Sequence, residues 1–132
     1  MADRHDANEG VEASVARPGG VSYLQIPARD LAESAAFYRA VFGWEVRGDA
    51  RSPSFSDGTG HVIGHWRTDL HPVGEAGVLP YVYVDDLDEA LRRAIDHGAE
   101  IVTPTYPEGT LRIATIRDPA GNVIGIWHNP PA

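Results

Sequence analysis

The residues able to do chemistry in this chain are its histidines, tyrosines and carboxylates, because cysteine is absent. Thiolate chemistry and disulfides are thereby excluded. Six histidines stand at positions 5, 61, 65, 71, 97 and 128. His61 and His65 share one face of an extended segment, where four residues separate them by about 13 Å, too far to chelate one ion. His5 falls in an N-terminal arm and His97 at the end of a helix. Joining His65 to His128 would need a particular crossing of strands from the two halves of the chain. No Ser-His-Asp or Cys-His grouping and no phosphate-cradling glycine loop is present. Asp85, Asp86 and Asp88 crowd together, but helix capping accounts for them. What remains is tyrosine as a proton donor and acceptor, at 23, 81 and 83, and Gln25, an amide that needs partners wherever it is buried.

The elements that position these groups come in two copies. Gly60-His-Val-Ile-Gly-His-Trp66 and Gly121-Asn-Val-Ile-Gly-Ile-Trp127 share five identities at an offset of 61 residues. Each reads as a short strand entered by glycine, and a fixed offset signals one unit used twice. Upstream, residues 21–27 alternate, with Leu24 and Ile26 on one face and Tyr23 and Gln25 on the other. Asp30 to Glu33 opens a helix as a capping box, Leu31, Ala35, Tyr38 and Phe42 recur at helical spacing, and Gly43 stops it. Strands follow at 44–47, near 52–57 and at 61–67, with Asp57-Gly58 as a hairpin turn. The pattern restarts after a linker. Residues 79–84 alternate, with Leu79, Tyr81 and Tyr83 on one face. Asp86 to Glu89 repeats the capping box, Leu87, Ala90, Leu91, Ala94 and Ile95 form the apolar stripe, and Gly98 ends the helix. Strands follow near 100–103, 110–117 and 123–128, with Pro104 and Pro107 bracketing a loop and Asp118 to Asn122 forming a turn.

The fold class is therefore α+β: two tandem βαβββ modules forming a curved mixed sheet around a cavity, with the helices outside. Residues 1–20 read as a disordered arm without the apolar core of a signal peptide. Residues 21–132 form a single domain, with module 1 at about 21–69, a linker at 70–77 and module 2 at about 78–129. The formal net charge of −8 argues against a nucleic-acid partner, which needs a basic face. No apolar run approaches the length of a membrane span. The absence of cysteine points to a cytoplasmic location.

This arrangement resembles the vicinal oxygen chelate superfamily of glyoxalases, bleomycin-resistance proteins and extradiol dioxygenases. The resemblance rests on Asp30-Leu31, Phe37-Tyr38 and Gly43-Trp44, then on Val84 to Leu87, Gly98-Ala99 and the Asp118-Pro-Ala-Gly-Asn122 turn, and covers about residues 21–128. It implies a divalent metal held by His, Gln or Glu on the first and last strands of each module. Here the equivalent positions carry Tyr23, Gly64, Leu79 and Gly125. Two glycines and a leucine have no side-chain donor, and a tyrosine alone holds no such ion. A slip by one residue would offer His65 and Ile126. The expected metal is none, and the expected cofactor is none.

The face of the absent ligands then carries Tyr23, Gln25, Gly64, Trp66, Leu79, Tyr81, Tyr83, Ile113, Thr115, Gly125 and Trp127, with Val62 and Val123. This is an aromatic wall with few polar groups, suited to a small, partly aromatic organic molecule. The leading expectation is a metal-independent binder of an antibiotic or metabolite, of the bleomycin-resistance type. Such relatives are homodimers with sites built from both subunits, and a homodimer is expected here. The alternative is a metal-independent isomerase, cyclase or hydroxylase-like enzyme using Tyr23, Tyr81 or Tyr83. A metal-dependent lyase or dioxygenase is third.

Overall fold

The computed structural model describes residues 13–72 and 77–131. Module 1 runs β1 (Tyr23–Pro27), α1 (Leu31–Phe42), β2 (Glu45–Arg47), β3 (Ser54–Ser56) and β4 (Ile63–Arg67). Module 2 repeats the order with β5 (Tyr81–Tyr83), α2 (Leu87–Asp96), β6 (Glu100–Glu108), β7 (Leu111–Arg117) and β8 (Val123–His128). The strands form two four-stranded mixed sheets, ordered β1-β4-β3-β2 and β5-β8-β7-β6. In each, the first strand lies parallel to the last and the other pairings are antiparallel.

Both helices start as their sequences dictate. The Asp30 carboxylate accepts the Glu33 N–H at 2.9 Å and Asp86 accepts that of Glu89 at 3.1 Å, each satisfying a donor the first turn leaves unpaired. Gly43, at φ 70°, closes α1 and donates to the Arg39 carbonyl. The second helix ends at Asp96 with His97 as its cap, and Gly98 makes the left-handed turn one residue later. Ile95, expected in the apolar stripe, is 52% exposed, since the buried face of α2 is the narrow row Leu87, Ala90, Ala94. The Pro104–Pro107 segment, expected as a loop, belongs to the nine-residue β6. That strand lies at the sheet edge and shifts register twice, which is where a sheet tolerates proline. Of the expected N-terminal arm, residues 1–12 lie outside the described residues. The remainder is tied to the β3–β4 hairpin: Val15 is buried and the Ser14 hydroxyl donates to the Gly60 carbonyl at 3.2 Å.

One core cluster draws on both modules. Trp44 stacks between Tyr38 and Phe55, with ring centroids 4.7 Å away on either side, and Trp66 packs on Phe55 at 4.8 Å. Ala94, Ala114, Ile116 and Ile126 are fully buried in the module 2 half. A polar clasp ties the halves together. The Tyr38 hydroxyl donates to Asp118 Oδ2 at 2.7 Å, and Asn122 Nδ2 donates to the same oxygen and to the Pro27 carbonyl.

The two copies of the repeated heptapeptide do not face the same way. In module 1 the hairpin closes with Asp57 N–H donating to the Val62 carbonyl, whereas in module 2 Asp118 N–H donates to that of Asn122. Closure one residue earlier shifts the strand by one, and a one-residue shift turns every side chain to the opposite face. Gly64 therefore pairs with Leu24 and Trp66 with Ile26, toward the core, while Gly125 pairs with Tyr81 and Trp127 with Tyr83, away from it.

Burial first, and then the Asp118 charge and hydrogen bond, push the Tyr38 hydroxyl well above the ordinary tyrosine value of 10.0. The folded chain thus keeps a proton that the unfolded chain sheds, so this stabilisation is complete below about pH 10 and is lost as the pH rises past it. Tyr38→Phe removes one hydrogen bond to a buried carboxylate and is expected to lower stability at pH 7 by about 1.5–3 kcal/mol. In urea unfolding from pH 8 to 11 it is also expected to shrink the alkaline loss of stability, and an unchanged slope would rule out this role for the tyrosine.

Candidate functional site

The sheet registers sort the predicted site residues into three groups. On the outward face of module 1, Tyr23 stands opposite Ile63, and Gln25 opposite His65, which is opposite Ser54 in turn. The Tyr23 hydroxyl and His65 Nδ1 are 2.7 Å apart, and Arg67 Nη1 donates to Gln25 Oε1 at 2.9 Å. Arg67 is also forked onto Asp69. Gln25, expected as a buried amide, is exposed and partnered by this arginine. The face is polar, and it holds the Tyr23–His65 hydrogen bond.

Gly64 and Trp66 form the second group, and they do not join Tyr23 and Gln25. Trp66 is 3% exposed inside the core, and the space beside Gly64 is filled by the Leu24 carbonyl and the Phe55 ring. A Cβ at Gly64 would stand 1.9 Å from the Leu24 oxygen, so this glycine serves close strand packing.

The third group lies on the outward face of module 2. Tyr81, Gly125, Thr115 and Thr103 form one row across the sheet, and Tyr83, Trp127, Ile113 and Tyr106 form the next. Tyr83 and Trp127 meet edge to face with centroids 4.9 Å apart. Tyr81 and Tyr83 are half exposed, whereas Ile113 and Thr115 are buried. The Tyr81 ring lies over Gly125, where an added Cβ would be 2.2 Å from its carbons. Leu79 precedes β5 and is half-buried. Desolvation, with Tyr81 and Glu108 nearby, raises the Tyr106 hydroxyl above its ordinary range. Tyr106 was missed by sequence reasoning because two flanking prolines disguised its strand. His65 was missed as a partner of Tyr23 because register between parallel strands is not written locally.

Two cavities lie between the modules and share Trp44, Asp57, Tyr81 and Val82. The inner one, of about 330 Å³, includes Gln25 and Tyr81 from the predicted set, and the outer one, of about 750 Å³, includes Tyr81 and Tyr83.

The family profile of the Glyoxalase/Bleomycin resistance protein/Dioxygenase superfamily matches residues 20–126, and the chain belongs to that superfamily. It is 29% identical over 129 residues to the anthracycline biosynthesis protein DnrV of Streptomyces peucetius, covering 83% of this chain and 47% of the relative. The chain thus spans about half the length of that curated relative. A solved glyoxalase/bleomycin resistance protein/dioxygenase family enzyme from Burkholderia phytofirmans superposes with a TM-score of 0.66 at 25% identity, over 82% of this chain and 97% of that one. The fosfomycin resistance protein FosX of Listeria monocytogenes shares the fold, at a TM-score of 0.66 and 18% identity over 85% and 94% of the two chains.

The metal that the superfamily's enzymes use does not fit the residues here. Tyr23 and His65 are engaged with each other, Gly64 is in the core, and the Tyr81 ring occupies the space over Gly125. Among the described residues, no three His, Asp or Glu side chains are grouped to hold an ion.

The two strand glycines should respond differently to a methyl group. Gly64→Ala meets immovable backbone and is expected to destabilise by more than about 3 kcal/mol, whereas Gly125→Ala meets a half-exposed ring able to swing away and should cost about 1 kcal/mol. Chemical denaturation of both variants checks the order, and equal losses would contradict the opposite facing of the two strands.

Proposed function

We propose that this protein is a metal-independent binder of a small, partly aromatic organic molecule, an antibiotic or related metabolite, received on the module 2 face. The observation that carries this reading is the Tyr81 ring over Gly125. Where β8 would need to project a donor, it has no side chain, and an aromatic ring fills the space. With Tyr83, Tyr106 and Trp127 alongside, the face offers apolar area and rigid aromatic edges, with hydroxyls to orient a guest. The name of DnrV, in anthracycline biosynthesis, is consistent with a ligand of this kind.

We further infer a homodimer. β1 and β5 are both sheet edges, and each module leaves one face outward. A relative about twice as long has room for two such units in one chain. A second copy would supply the polar Tyr23–Gln25–His65 face opposite the aromatic one. The protein works in the cytoplasm in this reading, consistent with its lack of cysteine. Among the described residues no helix is long and apolar enough to cross a membrane.

One observation favours a second reading. Tyr23 and His65, hydrogen-bonded at 2.7 Å on an accessible face, form a pair able to pass a proton. This would suit a metal-independent isomerase, cyclase or hydroxylase-like enzyme.

Titration of tryptophan emission with a panel of polycyclic aromatic antibiotics tests the binding reading. Trp127→Ala and Tyr83→Ala are each expected to weaken binding tenfold or more, and EDTA-stripped protein should bind as tightly as untreated protein. Binding lost with EDTA would overturn metal independence. Conversion of a bound compound that stops in Tyr23→Phe would promote the enzymatic reading.

A further inference from the structure

We propose that the cleft between the two modules is a second ligand site, adjoining the outward aromatic face at Tyr81 and Tyr83, and that it takes an amphipathic planar organic cation. Three observations support the assignment. The first is shape. The inner cavity of about 330 Å³ and the outer one of about 750 Å³ share Trp44, Asp57, Tyr81 and Val82 in their linings. The inner volume is at the lower end of what small organic ligands occupy. Its walls are Leu24, Ile26, Trp44, Val82 and Ile124, so an apolar body loses little by leaving water there.

The second observation is the free edge of β5. Gly125 N–H donates to the Pro80 carbonyl and Val84 N–H to that of Trp127. Alternation along a parallel pair then turns the main-chain groups of Pro80, Val82 and Val84 toward β8, and those of Tyr81 and Tyr83 toward the edge. Among the described residues no strand covers that edge in the sheet, and both tyrosines border the outer cavity. A planar guest with a carbonyl, hydroxyl or ring N–H at its rim can pair with these groups as a neighbouring strand would.

The third is charge. Asp57, Asp85, Asp86 and Glu89 border the outer cavity, against Arg39 and Arg93. Arg93 is spent on Glu89. The remaining excess is negative, so a cationic tail extending from the apolar body is favoured over an anionic one.

Proflavine, a planar aromatic cation, and 8-anilinonaphthalene-1-sulfonate, an aromatic anion, distinguish the outcomes when titrated into the full chain. Proflavine should bind the cleft at least tenfold more tightly than the sulfonate. Val82→Trp fills the space shared by the two cavities and should abolish this binding. Pro80→Trp, at the exposed mouth, should weaken it tenfold even if Val82→Trp fails to fold. Asp85→Asn should weaken proflavine severalfold and leave the sulfonate unchanged. Tighter sulfonate binding, or proflavine binding that survives both tryptophan variants, overturns the inference. If proflavine instead responds to Trp127→Ala alone, the guest sits on the outward face. The cleft site then fails while the proposed function stands. Loss of antibiotic binding to the outward face with proflavine binding intact is the reverse case: the proposed function fails and the cleft site stands.

Discussion

A carboxylate with almost no exposure must be surrounded by donors, and Asp118 meets that demand with groups from both halves of the chain. Its Oδ1 accepts main-chain N–H groups of its own turn, from Ala120 and Asn122. Its Oδ2 accepts the Tyr38 hydroxyl from α1 and the Asn122 amide, which also reaches the Pro27 carbonyl at the end of β1. Losing one of these groups leaves the rest incompletely satisfied in a buried setting, so the module interface is specified by a few polar atoms as well as by apolar packing. The position of the inter-module cleft follows, since Tyr38, Pro27 and Asn122 all line its inner cavity.

The two modules share a topology but not a surface chemistry. The outward face of module 1 is polar, with the Tyr23–His65 pair and the Arg67–Gln25 bridge. That of module 2 is aromatic, with Tyr81, Tyr83, Tyr106 and Trp127. The repeat preserves strand order and helix placement, whereas the one-residue difference in register changes which side chains of the last strand face outward.

Much of the scaffold was legible residue by residue. Asp30 and Asp86 announced the helix starts, Gly43 the first helix end, and the Asp118–Asn122 turn its own geometry. These are local effects, carried by hydrogen bonds within four residues, so local sequence is enough to specify them. The Pro104–Pro107 segment misled because proline bars a central strand and not an edge strand, and edge position is a property of the whole sheet.

The amino-acid sequence by itself determined that there are two βαβββ units, where their helices begin, and that no thiol chemistry is available. Only the tertiary structure decided which way the repeated heptapeptides face. Hairpin closure at Val62 in one unit and at Asn122 in the other sends Trp66 into the core and Trp127 outward, from nearly identical strings. The reason is physical: a strand's side chains alternate with a period of two, so the choice of face depends on one residue of register. That register is set by partners distant in the chain, such as Leu24 for Gly64 and Tyr81 for Gly125.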